Sequence, residues 1–291
     1  AEEVTVDIRG GKAPSIDEAA RMGQLILVAE DNLTNQDVIR RQLNLLGYAA
    51  ELFEDGEKAL EAWKKKKYAI LLSDCHMPNM DGFGLTAAIR EATDVTDARF
   101  PIVAITANAL QGEADRCLAA GMDDYLSKPL EMSQLKATLK KWMPVSAMAI
   151  EPEPEEVDTP PAKADLSVAE EVVAEPAAAA SDSSAIDPSA LKSVFGDDEE
   201  TFKEILRDFV DPAASNIEEI DAAFASRSAD GVAKAAHKLK SSSRSVGAND
   251  LADLCLALET AGKAEDWNTI DEAAPHLAGV MQDVADYIKA L

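Results

Sequence analysis

Short apolar runs alternate strictly with amphipathic stretches over residues 22–143, and few folds accommodate that order. The apolar runs predict strands at residues 25–29, 49–53, 69–74, 102–106 and 125–126. The amphipathic stretches predict helices at residues 35–46, 56–65, 83–91, 110–120 and 132–142. Strands that alternate with helices predict an α/β doubly wound, five-stranded parallel sheet, with a site outside the carboxyl ends of the strands.

The composition changes abruptly after this segment. Residues 144–185 are rich in Pro, Glu and Ala and predict a disordered acidic linker. Residues 186–291 show no strand pattern, and apolar residues recur at helical spacing over 199–227, 229–246, 249–261 and 266–290. Four such stretches with short connections predict an all-α four-helix bundle. Residues 1–21 are an N-terminal segment in which residues 4–8 fit a strand remnant of an upstream domain.

The overall charge and the cysteines restrict the partners and the compartment. The formal net charge of -26 disfavours nucleic acid and anionic membranes and favours Mg²⁺ and basic protein faces. No apolar run approaches the ~20 residues that span a bilayer, so we expect no direct membrane contact by this chain, although a longer parent protein could be membrane-anchored. Cys75, Cys117 and Cys255 lie far apart without paired spacing, so we expect reduced cysteines and a cytoplasmic location.

Acidic residues end two of the predicted strands. Asp74 ends the run 69–74, and Glu30 and Asp31 follow the run 25–29. Adjacent parallel strands would bring the three carboxylates to one edge of the sheet, where a divalent cation offsets their repulsion. Thr106 ends the fourth strand and Lys128 follows the fifth, so the same edge would gather a hydroxyl and an ammonium group. A carboxylate nucleophile beside Mg²⁺ and lysine suits phosphoryl transfer.

Four motifs together resemble a response regulator receiver domain. They are Glu30-Asp31-Asn32, the run from Ser73 to Gly82, Thr106-Ala107 and Ser127-Lys128-Pro129, in the family's order over residues 22–143. The resemblance implies that Asp74 is the phosphoacceptor and that Mg²⁺ is held by Glu30, Asp31, Asp74 and the backbone carbonyl of His76. It also implies that Lys128 and Thr106 contact the phosphoryl oxygens, that Tyr125 is a rotating switch, and that the Lys128–Pro129 bond is cis.

Each of these residues alone has a plainer interpretation. An acid after a strand often caps the next helix, and an aromatic such as Tyr125 in a short strand usually belongs to the core. The joint occurrence of the motifs favours the phosphoacceptor site. Cys75 and His76 are adjacent, but neither has a partner cysteine or histidine nearby in the sequence, so we interpret both side chains as structural.

Residues 232–246 place a histidine on the polar side of a predicted helix. At 100° per residue, the buried stripe consists of Val232, Ala235, Leu239, either Ser242 or Ser243, and Val246. His237 points nearly opposite Leu239, so we expect it to be exposed and to share its face with Lys234, Lys240, Ser241 and Arg244. Three cations around an imidazole would hold a phosphoryl group. A solvated surface histidine is the plainer interpretation.

The run from His237 to Ala248 resembles the signature of histidine phosphotransfer (HPt) domains, and the helix pattern extends the similarity over residues 186–291. The resemblance implies that His237 accepts the phosphoryl group and that Lys240 steadies it. The family has glycine four residues after the histidine, where this chain has Ser241. The larger residue narrows the gap for an incoming receiver, so we expect slower or more selective transfer, and Ser241→Gly to keep or raise the rate.

Two acceptors on one tethered chain predict a two-component phosphorelay protein that resembles the C-terminal part of a hybrid sensor histidine kinase. Asp74 would accept from an upstream phosphohistidine domain and pass the group to His237, and a downstream response regulator receiver would take it. The chain is not expected to be a complete kinase, because it lacks a Gly-rich ATP-binding lid and residues 10–13 fail the phosphate-loop pattern.

Two other functions stay open at this point. An Mg²⁺-dependent phosphatase with an aspartate nucleophile would use the same acids, but such enzymes generally have a second acid two residues after the nucleophile, where this chain has His76. A phosphate-independent interaction module would retain both sites in vestigial form.

Overall fold

The computed structural model describes residues 13–92, 99–106, 111–143, 185–188, 192, 194 and 199–291. The described strands are β1 (Ile26–Ala29), β2 (Ala50–Phe53), β3 (Ile70–Asp74), β4 (Ile102–Thr106) and β5 (Asp124–Ser127). The described helices are α1 (Ile16–Arg21), α2 (Leu33–Leu45), α3 (Gly56–Lys65), α4 (Gly82–Ala92), α5 (Gln111–Ala119), α6 (Met132–Trp142), α7 (Glu199–Ala225), α8 (Ala229–Ser245), α9 (Asn249–Lys263), α10 (Trp267–Ala273) and α11 (Leu277–Lys289).

The five strands form one parallel sheet in the order β2-β1-β3-β4-β5. Strands β1, β3 and β4 are buried along their whole length, because helices cover both faces of the sheet. Ala29 at the end of β1 pairs with Ser73, one residue before Asp74. The carboxyl ends of β1 and β3 therefore lie side by side, which confirms the predicted fold of this segment. We call residues 13–143 the sheet domain.

The N-terminal segment contributes a helix that the sequence pattern left unassigned. Helix α1 begins with a capping box, in which Ser15 and Glu18 bond to each other's backbone N–H groups. Its Ala19 is fully buried in the same apolar cluster as Leu27 and Leu71 of the sheet domain. The predicted strand at residues 4–8 lies outside the described residues, as does the predicted disordered linker at 144–185 apart from Ala185.

We call residues 185–291 the bundle. Its described part from residue 199 onward is helical as predicted, with one difference. The sequence pattern predicts a single helix over 266–290, but the structure divides it into α10 and α11 with a 3₁₀ turn at Ala274–His276 between them. Pro275 explains the division, because proline has no N–H for an α-helical hydrogen bond and its ring clashes with the preceding turn. Phe209, Leu239 and Leu258 are fully buried in the core that the helices enclose.

The sheet domain and the bundle belong to one compact unit, and helix α2 joins them. Ile39 of α2 packs into the core of the sheet domain, whereas its neighbour Val38 is buried in the same cluster as Phe209 and Leu239 of the bundle. Gln42 of α2 is fully buried and donates to the backbone carbonyl of Val194 in the bundle. Helix α2 thus has apolar residues on both sides, and each side is covered by a different domain.

None of the helices within the described ranges combines the length and the apolar character that a bilayer crossing requires.

Gly82, the first residue of α4, is tightly enclosed beneath the end of β3. A Cβ atom at this position would lie 2.2 Å from the backbone oxygen of Asp74 and 3.0 Å from the Ser73 Oγ. We expect Gly82→Ala to lower the free energy of unfolding by about 1–3 kcal/mol, because backbone has to shift to admit the methyl group. Urea denaturation measures the change.

Gly84→Ala is the matched control, because it lies in the same helix and its Cβ would meet Met80 Cγ at 3.3 Å, a side-chain atom that can move. Equal stability of the two variants would contradict the packing argument.

Candidate functional site

Asp74 is the last residue of β3 and is held by two donors. The backbone N–H of His76 donates to its Oδ1 with an N–O distance of 3.0 Å, and the Nζ of Lys128 lies 2.6 Å from its Oδ2. The residue is 6% exposed. Both carboxylate oxygens are therefore oriented by hydrogen bonds, and the group is nearly removed from solvent.

Glu30 follows β1 and is fully buried beside Asp74. Its Oε2 lies 2.7 Å from Lys128 Nζ, and its Oε1 accepts from Asn35 Nδ2 at 2.9 Å. Burial raises the pKa of Glu30 to about 7, the negative charge of Asp74 adds to this, and Lys128 and Asn35 counteract it. Burial likewise raises the pKa of Asp31, followed by the charge of Asp74.

Glu30, Asp31 and Asp74 each offer one carboxylate oxygen within 4.8 Å of the others. Oxygen donors are the ligands that Mg²⁺ takes, and the raised pKa values of two of the acids reflect buried negative charge that a divalent cation would neutralise. The donor set therefore fits Mg²⁺.

Lys128 connects the acids from the end of β5. Burial would lower the pKa of its ammonium group, but the charges of Asp74 and Glu30 outweigh burial and raise the pKa above its ordinary value. The backbone N–H of Lys128 donates to the carbonyl of Thr106 at 2.8 Å, and the Lys128–Pro129 bond is cis, as the resemblance implies. Thr106 is 1% exposed at the end of β4, and Tyr125 of β5 is 38% exposed rather than part of the core.

His76 and the cysteines occupy the other side of Asp74. The His76 side chain is half-exposed, and its Nε2 lies 3.2 Å from Glu113 Oε1. Cys75 and Cys117, 42 residues apart in the sequence, are brought together by the fold with 3.5 Å between their sulfur atoms, and both are free thiols. Burial raises the pKa of both thiols.

His237 lies on α8 with a side chain that is 31% exposed, which is less than the polar-face pattern predicts. Its Nδ1 lies 2.9 Å from the Oε1 of Glu259 on the neighbouring helix α9. Lys240 and Lys263 contact the same carboxylate, and Glu259 is 4% exposed. Burial would raise the pKa of Glu259, but hydrogen bonds from His237, Lys240 and Lys263 outweigh it and lower the pKa.

The expected ring of three cations around His237 is therefore wrong in part. Lys240 lies close but is paired with Glu259, Lys234 pairs with the exposed Asp230, and a buried anion is in direct contact with the imidazole. Sequence reasoning missed Glu259. The signal was present, because Glu259 lies four residues after the buried Cys255 and three before the buried Gly262, which places an acid on an apolar stripe.

Ser241 is also placed differently from the prediction. It was expected on the exposed face with His237, but it is 8% exposed and its Oγ accepts from Asn35 of the sheet domain at 2.9 Å. The helical periodicity of the bundle could not predict that Ser241 is buried, because the surface that covers it belongs to the sheet domain.

One cavity of about 330 Å³ is lined by residues of both the sheet domain and the bundle. The sheet domain contributes Lys128 and His76 to its lining, and the bundle contributes His237, Lys240 and Glu259. The rings of His76 and His237 meet edge to face with 6.3 Å between their centres. Lys128, which contacts Asp74 directly, therefore connects the carboxylate of the sheet domain to the polar space that the imidazole of the bundle lines.

Two family models match the chain. The response regulator receiver domain model matches residues 26–140, and the Hpt domain model matches residues 204–290.

Similar proteins include sensors much longer than this chain. Hybrid signal transduction protein dokA from Dictyostelium discoideum is 47% identical over 118 residues, which are 40% of this chain and 7% of dokA. Virulence sensor protein BvgS from Bordetella pertussis is 26% identical over 269 residues, which are 91% of this chain and 20% of BvgS. The chain thus spans a fifth or less of the length of these two relatives.

A solved structure with a similar sequence is the receiver domain of sensor histidine kinase PA1611 from Pseudomonas aeruginosa, which carries a magnesium ion in its active site cleft. Its sequence is 44% identical to this chain in the matched region. The match covers 41% of this chain and 97% of the solved chain, with a TM-score of 0.38.

The two family models match the parts of the chain that carry the candidate sites. The acidic residues at the carboxyl ends of the parallel strands lie in the first match, and His237 lies in the second. Residues 26–140 belong to the response regulator receiver family and residues 204–290 to the Hpt family, so the chain joins two modules of the two-component phosphorelay.

Proposed function

We propose that the chain relays a phosphoryl group from an upstream phosphohistidine to Asp74, then to His237, and on to the receiver of a downstream response regulator. The observation that carries this proposal is the shared cavity, which Lys128 enters from the receiver and His237 from the bundle. A phosphoryl group on Asp74 would lie beside the only imidazole that the chain's HPt motif contains.

The proposed domain limits are a receiver at 22–143, a linker at 144–185 and an HPt domain at 186–291, with residues 1–21 as an N-terminal segment. Ile186, which is fully buried in the bundle core, supports the start of the HPt domain at that point. Ala19 in the sheet core supports helix α1 as an addition to the receiver.

In the receiver, Asp74 is proposed as the nucleophile. Glu30, Asp31, Asp74 and the backbone carbonyl of His76 would hold Mg²⁺, which supplies positive charge that draws the incoming phosphoryl oxygens and lessens the repulsion among the acids. Lys128 is proposed to bind the same oxygens, and its burial makes its charge effective over a short distance. Thr106 would contact the phosphoryl group, and Tyr125 would rotate in response.

Glu259 fixes the histidine for the transfer step. Its lowered pKa makes it a carboxylate that can only accept, so Nδ1 of His237 carries the hydrogen and Nε2 carries the lone pair. The lone pair attacks phosphorus, the N–P bond forms as the P–O bond to Asp74 breaks, and Asp74 leaves as a carboxylate with the bonding electrons. The hydrogen remains on Nδ1 of His237 and stays hydrogen-bonded to Glu259, whose negative charge stabilises the positively charged ring that results. Lys240 is proposed to hold the phosphoryl oxygens.

The chain as it stands is proposed to relay a phosphoryl group rather than to act as a kinase, with an upstream histidine kinase and a downstream receiver as partners. We place the relay in the cytoplasm, where cysteines such as Cys75 and Cys117 remain thiols. The phosphatase and the vestigial module are the alternatives that labelling tests.

Labelling with acetyl phosphate and Mg²⁺ tests the order of transfer. We expect intact-mass and peptide mass spectrometry at neutral pH to find label on Asp74 and then on His237 in the unaltered chain. His237→Gln keeps the label on Asp74, and Asp74→Asn abolishes label at both sites.

Label on His237 in the Asp74→Asn chain would refute the intramolecular order. Steady hydrolysis of the donor by an unlabelled protein would instead identify a phosphatase, and the absence of both would identify a vestigial module.

Removal of one carboxylate tests the Mg²⁺ site. We expect Asp31→Asn to weaken Mg²⁺ binding, measured by isothermal titration calorimetry, by about tenfold or more, because ligand charge sets the affinity of such sites. Asp115→Asn, at an exposed position of α5 outside the group formed by Glu30, Asp31 and Asp74, is the control and should bind as the unaltered chain does. Equal affinities for both variants would exclude Asp31 as a Mg²⁺ ligand.

The pH dependence of stability tests the role of Glu259. Its pKa in the folded chain lies below the value of about 4.3 for an unfolded chain, so its contribution is present above pH ~4.5 and is lost as the pH falls below that value. We expect Glu259→Gln to lower the free energy of unfolding by about 1–3 kcal/mol at pH 6 and by much less at pH 3.

Urea denaturation at the two pH values measures this difference. Glu272→Gln, at an exposed position of α10, should be neutral at both. A cost for Glu259→Gln that is the same at pH 6 and pH 3 would show that the charge of Glu259 is not what stabilises the cluster.

A further inference from the structure

Asn35 of the receiver and two serines of the bundle form a buried hydrogen-bonded group. The Nδ2 of Asn35 donates to Ser241 Oγ at 2.9 Å and to Glu30 Oε1 at 2.9 Å, while its Oδ1 accepts from Ser245 Oγ at 3.0 Å. Asn35 is 3% exposed, Ser241 8% and Ser245 6%. The carboxamide uses both of its N–H groups and its carbonyl, so its hydrogen-bonding capacity is matched within the interface.

The two serines suit a carboxamide by their spacing. Ser241 and Ser245 are four residues apart on α8, so their hydroxyl groups lie one above the other on the same side of the helix. One hydroxyl meets the donor end of the Asn35 amide and the other meets its acceptor end. An aliphatic residue in place of Asn35 would leave the Ser241 hydroxyl without this bond. An acid there would put a second negative charge against Glu30.

The other polar contacts between the two domains discriminate less. Asn32 donates to the backbone carbonyl of Lys238, and Gln42 donates to that of Val194; every residue type offers such a carbonyl. Arg41 pairs with Glu204 and Asp208, whose side chains are 62% and 63% exposed, so water weakens these ion pairs. Buried bonds between uncharged side chains carry more selectivity, because a wrong partner leaves a desolvated polar group.

We propose that Ser241 and Ser245 form a recognition pair by which this HPt domain selects receivers that carry a carboxamide side chain at the position of Asn35. The partner is thus a receiver domain, either the one in this chain or a downstream one, with that amide one helical turn into the helix that follows its paired acids. The inference rests on the proposed function. It reverses the expectation that Ser241 obstructs an incoming receiver, because the hydroxyl makes a bond that glycine lacks.

The hydrogen-bonded group of Asn35, Ser241 and Ser245 lies close to the predicted phosphoacceptor site. Asn35 bonds Glu30, and Glu30 shares Lys128 with Asp74, so three polar contacts connect Asn35, the partner of both serines, to the phosphoacceptor. A receiver with the matching amide is held with its acid cluster against α8, the helix that carries His237. We therefore expect the pair to affect transfer to His237 and to leave the phosphorylation of Asp74 by a small donor unchanged.

A double-mutant cycle in the full chain tests the recognition pair. The chain is labelled with acetyl phosphate and Mg²⁺, and the rate at which label appears on His237 is measured per labelled Asp74. We expect Ser241→Ala with Ser245→Ala to slow this transfer about tenfold, which corresponds to two hydrogen bonds of ordinary strength. In the Asn35→Ala background the same serine changes should have less than about a twofold effect, because their partner is already absent.

Ser242→Ala is the matched control. Ser242 is buried on the same helix, and its hydroxyl bonds the backbone of that helix at Lys238 and Leu239. The Ser245 hydroxyl also lies within hydrogen-bond distance of its own helix, at the Ser241 carbonyl, but it reaches Asn35 of the receiver as well. Alanine favours the helix at all three positions, and urea denaturation verifies that each variant is folded. We expect the control to transfer at the rate of the unaltered chain.

Two results would overturn the recognition pair. One is a serine double variant that transfers as fast as the unaltered chain or faster, and the other is an equal loss of rate in the Asn35→Ala background. Failure of the proposed function looks different, since the unaltered chain would then either take up no label on Asp74 or keep the label on Asp74 without passing it to His237.

Discussion

The buried ammonium group of Lys128 is the contact on which the functional edge of this protein depends. It lies 2.6 Å from Asp74 and 2.7 Å from Glu30, two carboxylates that the parallel sheet forces together at neighbouring strand ends. Without a cation, two buried acids at this distance would repel each other and at least one would take up a proton. Burial raises the pKa of Glu30 even with Lys128 present, and the negative charge of Asp74 adds to the effect.

The bundle contains the opposite arrangement, in which one buried carboxylate lies among basic side chains. A single buried carboxylate, Glu259, accepts from His237, Lys240 and Lys263 and gathers the basic side chains on one side of the cavity. The hydrogen bond to Glu259 orients the imidazole of His237 among these cations. In the proposed transfer this bond engages Nδ1 and leaves Nε2 for the phosphoryl group.

Helix α2 brings these two groups together. Its Val38 enters the bundle core, its Ile39 enters the sheet core, and Asn35 in its first turn bonds both Glu30 and Ser241. Apolar burial supplies the attraction between the domains, whereas the buried polar bonds fix which residues face one another. The same surface of α8 that carries His237 is occupied by the receiver of this chain, so in the proposed relay a downstream receiver would have to take its place.

The sequence was enough to predict the order and type of most elements, because strict alternation of strands and helices leaves few topologies and buried strands appear as apolar runs. It also determined the gathering of Glu30, Asp31, Asp74, Thr106 and Lys128, since each follows or ends a strand of one parallel sheet. The hydrophobic pattern missed two local features, the helix α1 with its capping box and the break in the last predicted helix at Pro275.

The folded structure was needed to reveal the pairing of His237 with Glu259 and the burial of Ser241. Both depend on which surfaces meet, and no helical period contains that information. A periodic pattern places a side chain on a face of its own helix. What covers that face is set by another helix 22 residues away in the case of Glu259, and by a different domain 206 residues away in the case of Asn35.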